Sequence, residues 1–188
     1  MLEAIISSKT RVKLLTLFLL NPGMEYYVRE IVRMTEENYN AVRRELANLE
    51  RFGLITGQKK GNQQYYSVNR SFFLFDELQK IVLKTEGVAG IIRDNLAVQG
   101  GIECMFIYGS FAKGTAGAQS DIDLFIVGVV DENALIPLIH TSEQAVNREI
   151  NYTLMPGSEF RKRKESGDPF VKNVMDEQKI MITGTCDD

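Results

Sequence analysis

The sequence predicts a mixed α/β (α+β) fold in two modules. The first is small, mainly helical and ends in a β-hairpin; the second is a mixed β-sheet with flanking helices. Apolar residues recur at helical spacing in the first third of the chain, and short apolar strands alternate with helical segments after residue 99. A chain of 188 residues with 44% apolar content can hold one medium core and one small core.

The N-terminal module begins with a helix that Ser8 can cap and that Asn-Pro-Gly at 21–23 stops. A short helix is predicted around 28–34, and a longer one over 36–52 that ends at Gly53, as a glycine after a helix should. The buried positions predicted for the first helix are Val12, Leu14, Leu15, Phe18 and Leu19.

Residues 54–56 and 65–68 flank a polar turn at 59–62, which predicts a β-hairpin. Three helices and a basic-tipped hairpin are typical of a winged helix-turn-helix, and we assign residues 1–70 to such a DNA-binding domain. The run 42–55 resembles the recognition helix and wing entry of ArsR-like and MarR-like regulators.

That resemblance implies that the third helix enters the major groove of double-stranded DNA. Asparagine can pair with adenine and arginine with guanine, whereas lysines at the hairpin tip would contact phosphates. The alternative is a solvated face of a module that binds protein. The DNA-contact candidates are Asn38, Tyr39, Asn40, Arg43, Arg44, Lys59 and Lys60.

Charge is unevenly distributed between the modules. Residues 1–70 carry 11 Lys and Arg against 7 Asp and Glu, a net charge of +4, and the remainder carries −7, for −3 overall. A basic module joined to an acidic one suits local contact with DNA. Because +4 is modest, we expect a homodimer that presents two such modules.

Residues 71–98 are predicted to form a linker helix, since apolar residues recur with helical period and no proline intervenes.

The third segment, 99–188, contains two strands at 102–108 and 122–127. Gly109-Ser110 follows the first strand, and Asp121 and Asp123 begin the second on one face, because alternate side chains of a strand share a face. Two adjacent carboxylates repel unless a cation such as Mg²⁺ lies between them.

Glycine lets the backbone approach a phosphate closely, so this turn completes a nucleotide site. The Gly-Ser … Asp-x-Asp pattern resembles the nucleotidyltransferase superfamily typified by DNA polymerase β and kanamycin nucleotidyltransferase, in particular its minimal members. The resemblance implies that Gly109 and Ser110 hold the outer phosphates of a nucleoside triphosphate, with support from Lys113 and Ser120. Asp121 and Asp123 would be catalytic and hold Mg²⁺ or Mn²⁺.

Members of this superfamily usually carry a third carboxylate on a later strand, which can act as a general base. In the predicted strand 149–154 the matching position is Asn151, and an amide cannot accept a proton. Glu149, two residues earlier on the same face, is the catalytic candidate for that role, and a surface glutamate is the alternative.

Two functions remain open. In the first, a DNA-binding transcriptional regulator carries a nucleotidyltransferase domain that binds Mg-NTP and transfers a nucleoside monophosphate to a hydroxyl on a protein, RNA or small molecule. In the second, the nucleotidyltransferase-like domain is inactive and senses nucleotide or mediates dimerisation.

The remaining features favour a cytoplasmic protein without a membrane anchor, because no apolar run is long enough to span a bilayer. Cys104 and Cys186 are interpreted as unpaired thiols of a reducing compartment. His140 is the single histidine, which disfavours zinc and histidine-based catalysis. The basic run at 159–165 is either a solvated helix face or a contact for an acceptor nucleic acid or triphosphate.

Overall fold

A computed structural model describes residues 2–87, 90, 92 and 101–186. The chain divides into two compact units, Met1–Glu86 and Gly87–Asp188. Helices and two separate β-sheets make up the part of the chain that the structure describes, so the predicted mixed α+β class is confirmed.

The first unit begins with a 3-10 turn over Leu2–Ala4 and continues with helices and a small sheet. The elements are α1 (Lys9–Leu20), β1 (Tyr26–Tyr27), α2 (Val28–Thr35), α3 (Tyr39–Phe52), β2 (Ile55–Lys60), β3 (Gln63–Val68) and α4 (Phe75–Thr85). The three-stranded sheet has the order β1-β3-β2, with both pairings antiparallel.

The ends of these helices follow from their capping residues. The Ser8 hydroxyl oxygen accepts from the Arg11 amide at 3.2 Å, which confirms the predicted cap of α1. Helix α3 begins at Tyr39, so the predicted start at 36 is wrong: Asn38 caps the helix by accepting from the Asn40 amide at 2.8 Å. Gly53 ends α3 with φ +86°, a left-handed conformation that favours glycine.

The hairpin strands are longer than the sequence predicted. Lys59 pairs with Gln64 and Lys60 with Gln63, so both lysines lie in β2, and the tip is Gly61-Asn62. Gly61 has φ +60°, which permits the tight reversal there. On β2 the pairing therefore extends two residues into the predicted turn, and β3 begins at Gln63, two residues before the predicted start of the second strand.

The core of the first unit is formed by the apolar faces of its helices. All five predicted positions of α1 are buried, as are Val42, Leu46 and Leu49 of α3. Helix α4 belongs to the same unit, and the Gln79 side chain donates to the Leu19 carbonyl at 2.8 Å. Of the predicted linker helix, residues 88, 89, 91 and 93–98 lie outside the described residues.

The second unit is a four-stranded mixed sheet with helices packed on it. The described elements are β4 (Ile102–Tyr108), α5 (Gly109–Ala112), β5 (Ile122–Gly128), α6 (Glu132–Val146), β6 (Ile150–Met155), α7 (Gly157–Glu165), α8 (Pro169–Asp176) and β7 (Ile180–Gly184). The strand order is β6-β5-β4-β7; β5 and β6 are parallel and the other pairs antiparallel.

One face of this sheet carries an aromatic core, in which Phe106 and Phe125 stack at 5.2 Å between ring centroids. Cys104 of β4 and Cys186 after β7 lie in the same core and form a disulfide, with 5.7 Å between their Cα atoms. The interpretation of these cysteines as unpaired thiols is therefore wrong. Antiparallel pairing of β4 with β7 brings the two positions together, although 82 residues separate them in sequence. The cysteines consequently give no support to a reducing compartment.

The basic run at 159–165 lies on α7, where several of its charged side chains pair with groups of the same unit. Arg161 donates to Glu103 at 2.8 Å, Arg163 pairs with Glu159, and Lys164 donates to the Cys186 carbonyl at 3.2 Å. These contacts favour the surface-face alternative over an acceptor contact. Within the described part of the chain, no helix has the length and apolarity needed to cross a membrane.

Candidate functional site

The fold places the Gly-Ser turn directly against the acidic pair. Gly109 follows the last residue of β4, Tyr108, which pairs with Asp123 on β5. A Cβ atom added at Gly109 would collide with Asp123 Oδ2, and Gly109 has φ +68°. Only glycine fits this position without displacing the carboxylate, so the turn and the acid share one site.

The two acids lie close enough to influence each other. Burial raises the pKa of Asp123 above its ordinary value, and the neighbouring Asp121 carboxylate raises it further. A hydrogen bond from Asn151 acts in the opposite direction. A cation between the two carboxylates would relieve their repulsion.

Asn151 occupies the position opposite the acids. It pairs with Asp123 in the parallel register of β5 and β6, and its Nδ2 donates to Asp121 Oδ2 at 3.3 Å. One side-chain amide therefore contacts both carboxylates. Within the described residues, no group of three or more His, Cys, Asp or Glu is arranged to hold a metal ion.

Glu149 lies just before β6, and its carbonyl accepts from the Ile122 amide at 3.0 Å. Glu149 is exposed at the rim of an open cavity of about 490 Å³, which Asn151 also lines. The described groups that shift the pKa of Asp123 are Asp121, Asn151 and Glu177. Glu149 is not among these groups, so its role as a base remains a prediction.

The loop from the turn to the acids is closed by its own hydrogen bonds. The Ser120 hydroxyl oxygen accepts from the Gly117 amide at 2.9 Å, and the Thr115 amide donates to the Ser110 carbonyl at 3.0 Å. Lys113 ends the short helix α5, where its Nζ lies 2.9 Å from Glu177 Oε1. Ser120 thus shapes the loop, and Lys113 stands beside the turn with an acidic partner.

Arg148 is a site residue that sequence reasoning missed. It is 8% exposed, its guanidinium donates to the Ser120 carbonyl, and it lies 5.3 Å from the centroid of the Phe111 ring. Phe111 belongs to α5 and Ser120 precedes Asp121, so Arg148 links the turn to the acidic segment. A single arginine before a predicted strand gives no such signal in sequence.

Tyr108 and Glu177 were also missed. Burial raises the pKa of Tyr108, and the negative charges of Asp123 and Glu177 add to that effect, whereas a hydrogen bond with Thr153 opposes it. Glu177 reaches the site from the segment between α8 and β7, and Tyr108 from the end of β4. Strand order, which the sequence pattern did not specify, brings Glu177 to the acids, whereas Tyr108 ends a predicted strand but was not selected as a site residue.

The predicted DNA-contact residues of the first unit are exposed. Asn38, Tyr39, Asn40, Arg43 and Arg44 lie at the N-terminal end of α3, although the Asn38 side chain already serves as the cap. Lys59 and Lys60 are exposed on β2, where Lys60 pairs with Glu25 and lies 5.4 Å from the Tyr65 ring centroid.

A polar groove of about 800 Å³ is lined by residues of α2, α3 and the hairpin of this unit. Tyr39 and Arg43, both predicted contacts, lie along one side of it. Sequence reasoning did not select Arg29, Gln63 and Gln64, which line the same groove. Exposed cationic and amide side chains therefore converge on one surface of the first unit.

Residues 89–180 match the family model described as the nucleotidyltransferase domain, so the second unit contains a domain of this type. The family model does not extend to the first unit, whose assignment as a winged helix-turn-helix stays a prediction. No curated protein matches the chain.

Three solved structures are similar to parts of the chain. Reduced HlyU from Vibrio cholerae is 21% identical, with a TM-score of 0.35, over 44% of this chain and 81% of that one. A toxin-antitoxin crystallised with AMP-PNP is 20% identical, with a TM-score of 0.37, over 57% and 73% respectively. A mutant of the toxin-antitoxin MntA-HpeT is 16% identical, with a TM-score of 0.34, over 51% and 69%.

Proposed function

We propose that the protein is a DNA-binding transcriptional regulator whose nucleotidyltransferase domain binds a magnesium-bound nucleoside triphosphate. The observation that carries the nucleotide site is the close approach of Gly109 to Asp123. Gly109 has no side chain, so a phosphate can approach the backbone of the turn closely. The adjacent Asp123 carboxylate can hold the metal ion that accompanies the phosphate.

The residues present fit one divalent ion. Asp121 and Asp123 supply hard oxygen ligands; burial raises the pKa of Asp123, and repulsion from the Asp121 carboxylate raises it further. Mg²⁺ is commonly held by one or two carboxylates together with substrate phosphates, so two acids suffice for binding. The metal would neutralise phosphate charge, while Gly109, Ser110 and Lys113 would contact the outer phosphates.

The family match and Asn151 favour different uses of that site. The match supports nucleotidyl transfer, in which an acceptor hydroxyl oxygen bonds to the α-phosphorus and pyrophosphate leaves. The acceptor would belong to a protein, an RNA or a small molecule. Asn151 favours the alternative, nucleotide sensing or dimerisation without turnover, because its amide cannot remove the hydroxyl proton.

Incubation with labelled nucleotides, Mg²⁺ or Mn²⁺ and cell extract separates these uses. Label transfer that disappears in Asp121→Asn would establish the enzyme, whereas tight nucleotide binding without transfer would establish the sensor. A protein that neither binds nor transfers any of the four nucleoside triphosphates would end the proposal for this domain.

The DNA-binding part rests on the exposed end of α3 and its polar groove. Arg43 lines that groove. We expect Arg43→Ala to weaken binding to the DNA sequence that the protein prefers by roughly 1–3 kcal/mol, the typical contribution of one contact to a base. Arg51→Ala is the matched control, because Arg51 is exposed on the same helix and donates to Asn48 at 3.1 Å, away from the groove. Absence of DNA binding at low salt would remove this part. A homodimer is expected to bind best, which sedimentation with DNA can measure.

A further inference from the structure

Lys113, the only predicted phosphate-binding cation of the turn, is held by an acid. Its Nζ lies 2.9 Å from Glu177 Oε1, and the two side chains are 43% and 35% exposed. An ion pair with this much solvent is weak and exchangeable, with a typical net contribution of about 0–1 kcal/mol. A more highly charged anion can therefore take the ammonium group from Glu177.

The backbone around Glu177 is fixed by local hydrogen bonds. The Glu177 amide donates to the Asn173 carbonyl at 3.1 Å, at the end of α8. Lys179 donates to the Glu177 carbonyl at 3.0 Å and also to the Met175 carbonyl. These contacts fix the backbone from which the Glu177 side chain reaches Lys113, so the ion pair does not depend on ordering a free loop.

Glu177 also adds negative charge to the site itself. Its charge acts on Asp123 and on Tyr108, the residues that flank the Gly109 turn. The site therefore gathers the carboxylates of Asp121, Asp123 and Glu177, and Lys113 is paired with Glu177. These negative charges repel phosphates, so a bound cation and the release of Lys113 from Glu177 would both favour phosphate entry.

We propose that Glu177 sets the affinity of this site for nucleoside triphosphates by competing with their outer phosphates for Lys113. The inference rests on the proposed nucleotide-binding function. It adds that Glu177 makes binding depend on the number of phosphates in the ligand. A triphosphate reaches Lys113 and must displace Glu177. A monophosphate, which lacks the outer phosphates, leaves the ion pair intact.

Competition for Lys113 predicts different responses for the two ligands. Glu177→Gln should tighten Mg-triphosphate binding by about three- to fivefold, because the typical ion pair is worth up to about 1 kcal/mol. The same substitution should leave nucleoside monophosphate binding within about twofold, as most surface changes do. In a Lys113→Met background, the gain from Glu177→Gln should disappear, since no ammonium group remains to compete for.

Asp176→Asn provides the matched control. Asp176 is exposed, adjacent to Glu177, and the substitution changes the net charge equally. If the effect were a general reduction of negative charge, Asp176→Asn would reproduce it. The competition for Lys113 requires that it does not.

Isothermal titration of the full chain with ATP, GTP, CTP and UTP in Mg²⁺ at low ionic strength identifies the triphosphate that binds. Titration of that triphosphate and its monophosphate into wild type, Glu177→Gln, Asp176→Asn, Lys113→Met and the Lys113→Met/Glu177→Gln double variant completes the test. Selective tightening in Glu177→Gln, lost in the double variant, is the expected result.

Equal tightening in Asp176→Asn, or a gain from Glu177→Gln that persists in the Lys113→Met background, overturns the inference while the proposed function stands, and so do two further outcomes. Unchanged triphosphate binding in Glu177→Gln would mean that Glu177 does not compete, and weaker Mg²⁺-dependent binding would make Glu177 a metal ligand. If wild type binds none of the four triphosphates, the proposed function fails, and the inference fails with it.

Discussion

Asn151 lies directly opposite Asp123 in the parallel register of β5 and β6, and its side-chain amide donates to Asp121 Oδ2 at 3.3 Å. The amide thus stands where a third carboxylate would share the ion with the first two. Unlike a carboxylate at that position, the amide adds no negative charge to the site. Its hydrogen bonds partly compensate the charge of the two acids. Asn151 therefore stabilises the acidic pair by hydrogen bonding to it.

We expect Asn151→Asp to tighten Mn²⁺ binding by roughly tenfold or more, because a third carboxylate completes a set of oxygen ligands. Without the metal, the variant should be less stable than wild type, since three carboxylates then face one another. Titration of Mn²⁺ and thermal unfolding with and without the ion measure both effects. Nucleotidyl transfer should rise in the same variant if Asn151 alone blocks turnover.

Asn147→Asp is the matched control for this substitution. Asn147 caps α6 in a left-handed conformation that aspartate also tolerates, and it is exposed on the border of the same cavity. It should leave Mn²⁺ affinity close to that of wild type. Equal tightening by both variants would show that overall charge, rather than the position opposite Asp123, controls metal binding.

Gly109 is the second point at which the site can be tested. We expect Gly109→Ala to abolish nucleotide binding and to lower the free energy of unfolding by about 1–3 kcal/mol, because the new methyl group collides with Asp123 Oδ2 in a backbone conformation with φ +68°. Nucleotide titration and urea unfolding measure the two effects. Gly117→Ala is the control, since no described atom lies within 4 Å of a Cβ placed there. Normal binding by Gly109→Ala would mean that the turn is not part of the ligand site.

The sequence predicted the local parts of this site and missed the distant ones. Gly109 and the acids lie within 15 positions, and the strand pattern on either side placed them at adjacent strand ends. Arg148 and Glu177 come from other elements and reach the site only through the order β6-β5-β4-β7. Strand order depends on packing of the whole unit, which periodicity along the chain does not encode.

The same distinction applies to the rest of the fold. Apolar spacing correctly identified the buried face of α1, because helical periodicity is a local property. The boundaries of α3 and of the hairpin were misplaced, because a side-chain cap at Asn38 and cross-strand pairing up to Lys60 decided them. The pairing of Cys104 with Cys186 required knowledge that β7 lies beside β4.

A pH-dependent prediction follows from Glu45 in the first unit. Burial acts to raise the pKa of Glu45, but hydrogen bonds from Arg11, Asn48 and Ser8 outweigh it, and the net effect lowers that pKa. A lowered pKa in the folded state stabilises the protein above the pKa of the unfolded chain, about 4.3 for glutamate. This contribution is lost as the pH falls through the lowered folded-state value.

Glu45→Gln should therefore destabilise the first unit by about 1–3 kcal/mol at pH 7, with a smaller difference from wild type below about pH 4. Urea unfolding by circular dichroism at several pH values measures this, and hydrogen exchange of α1 and α3 amides locates the change. Glu77→Gln, exposed on α4, should have little effect at any pH. A loss that does not depend on pH would mean that shape, rather than charge, accounts for the role of Glu45.

The disulfide between Cys104 and Cys186 ties the C-terminal segment to β4 across 82 residues of sequence. A cross-link that closes a loop of this size restricts the unfolded chain, and we expect its loss in Cys186→Ala to lower the free energy of unfolding by about 2–5 kcal/mol. Urea unfolding with and without a reductant measures this. The reductant should destabilise wild type to a similar extent and have no effect on Cys186→Ala, because that variant has no cross-link to break. Alkylation of both thiols in denatured, unreduced wild type would show that the bond does not form in solution.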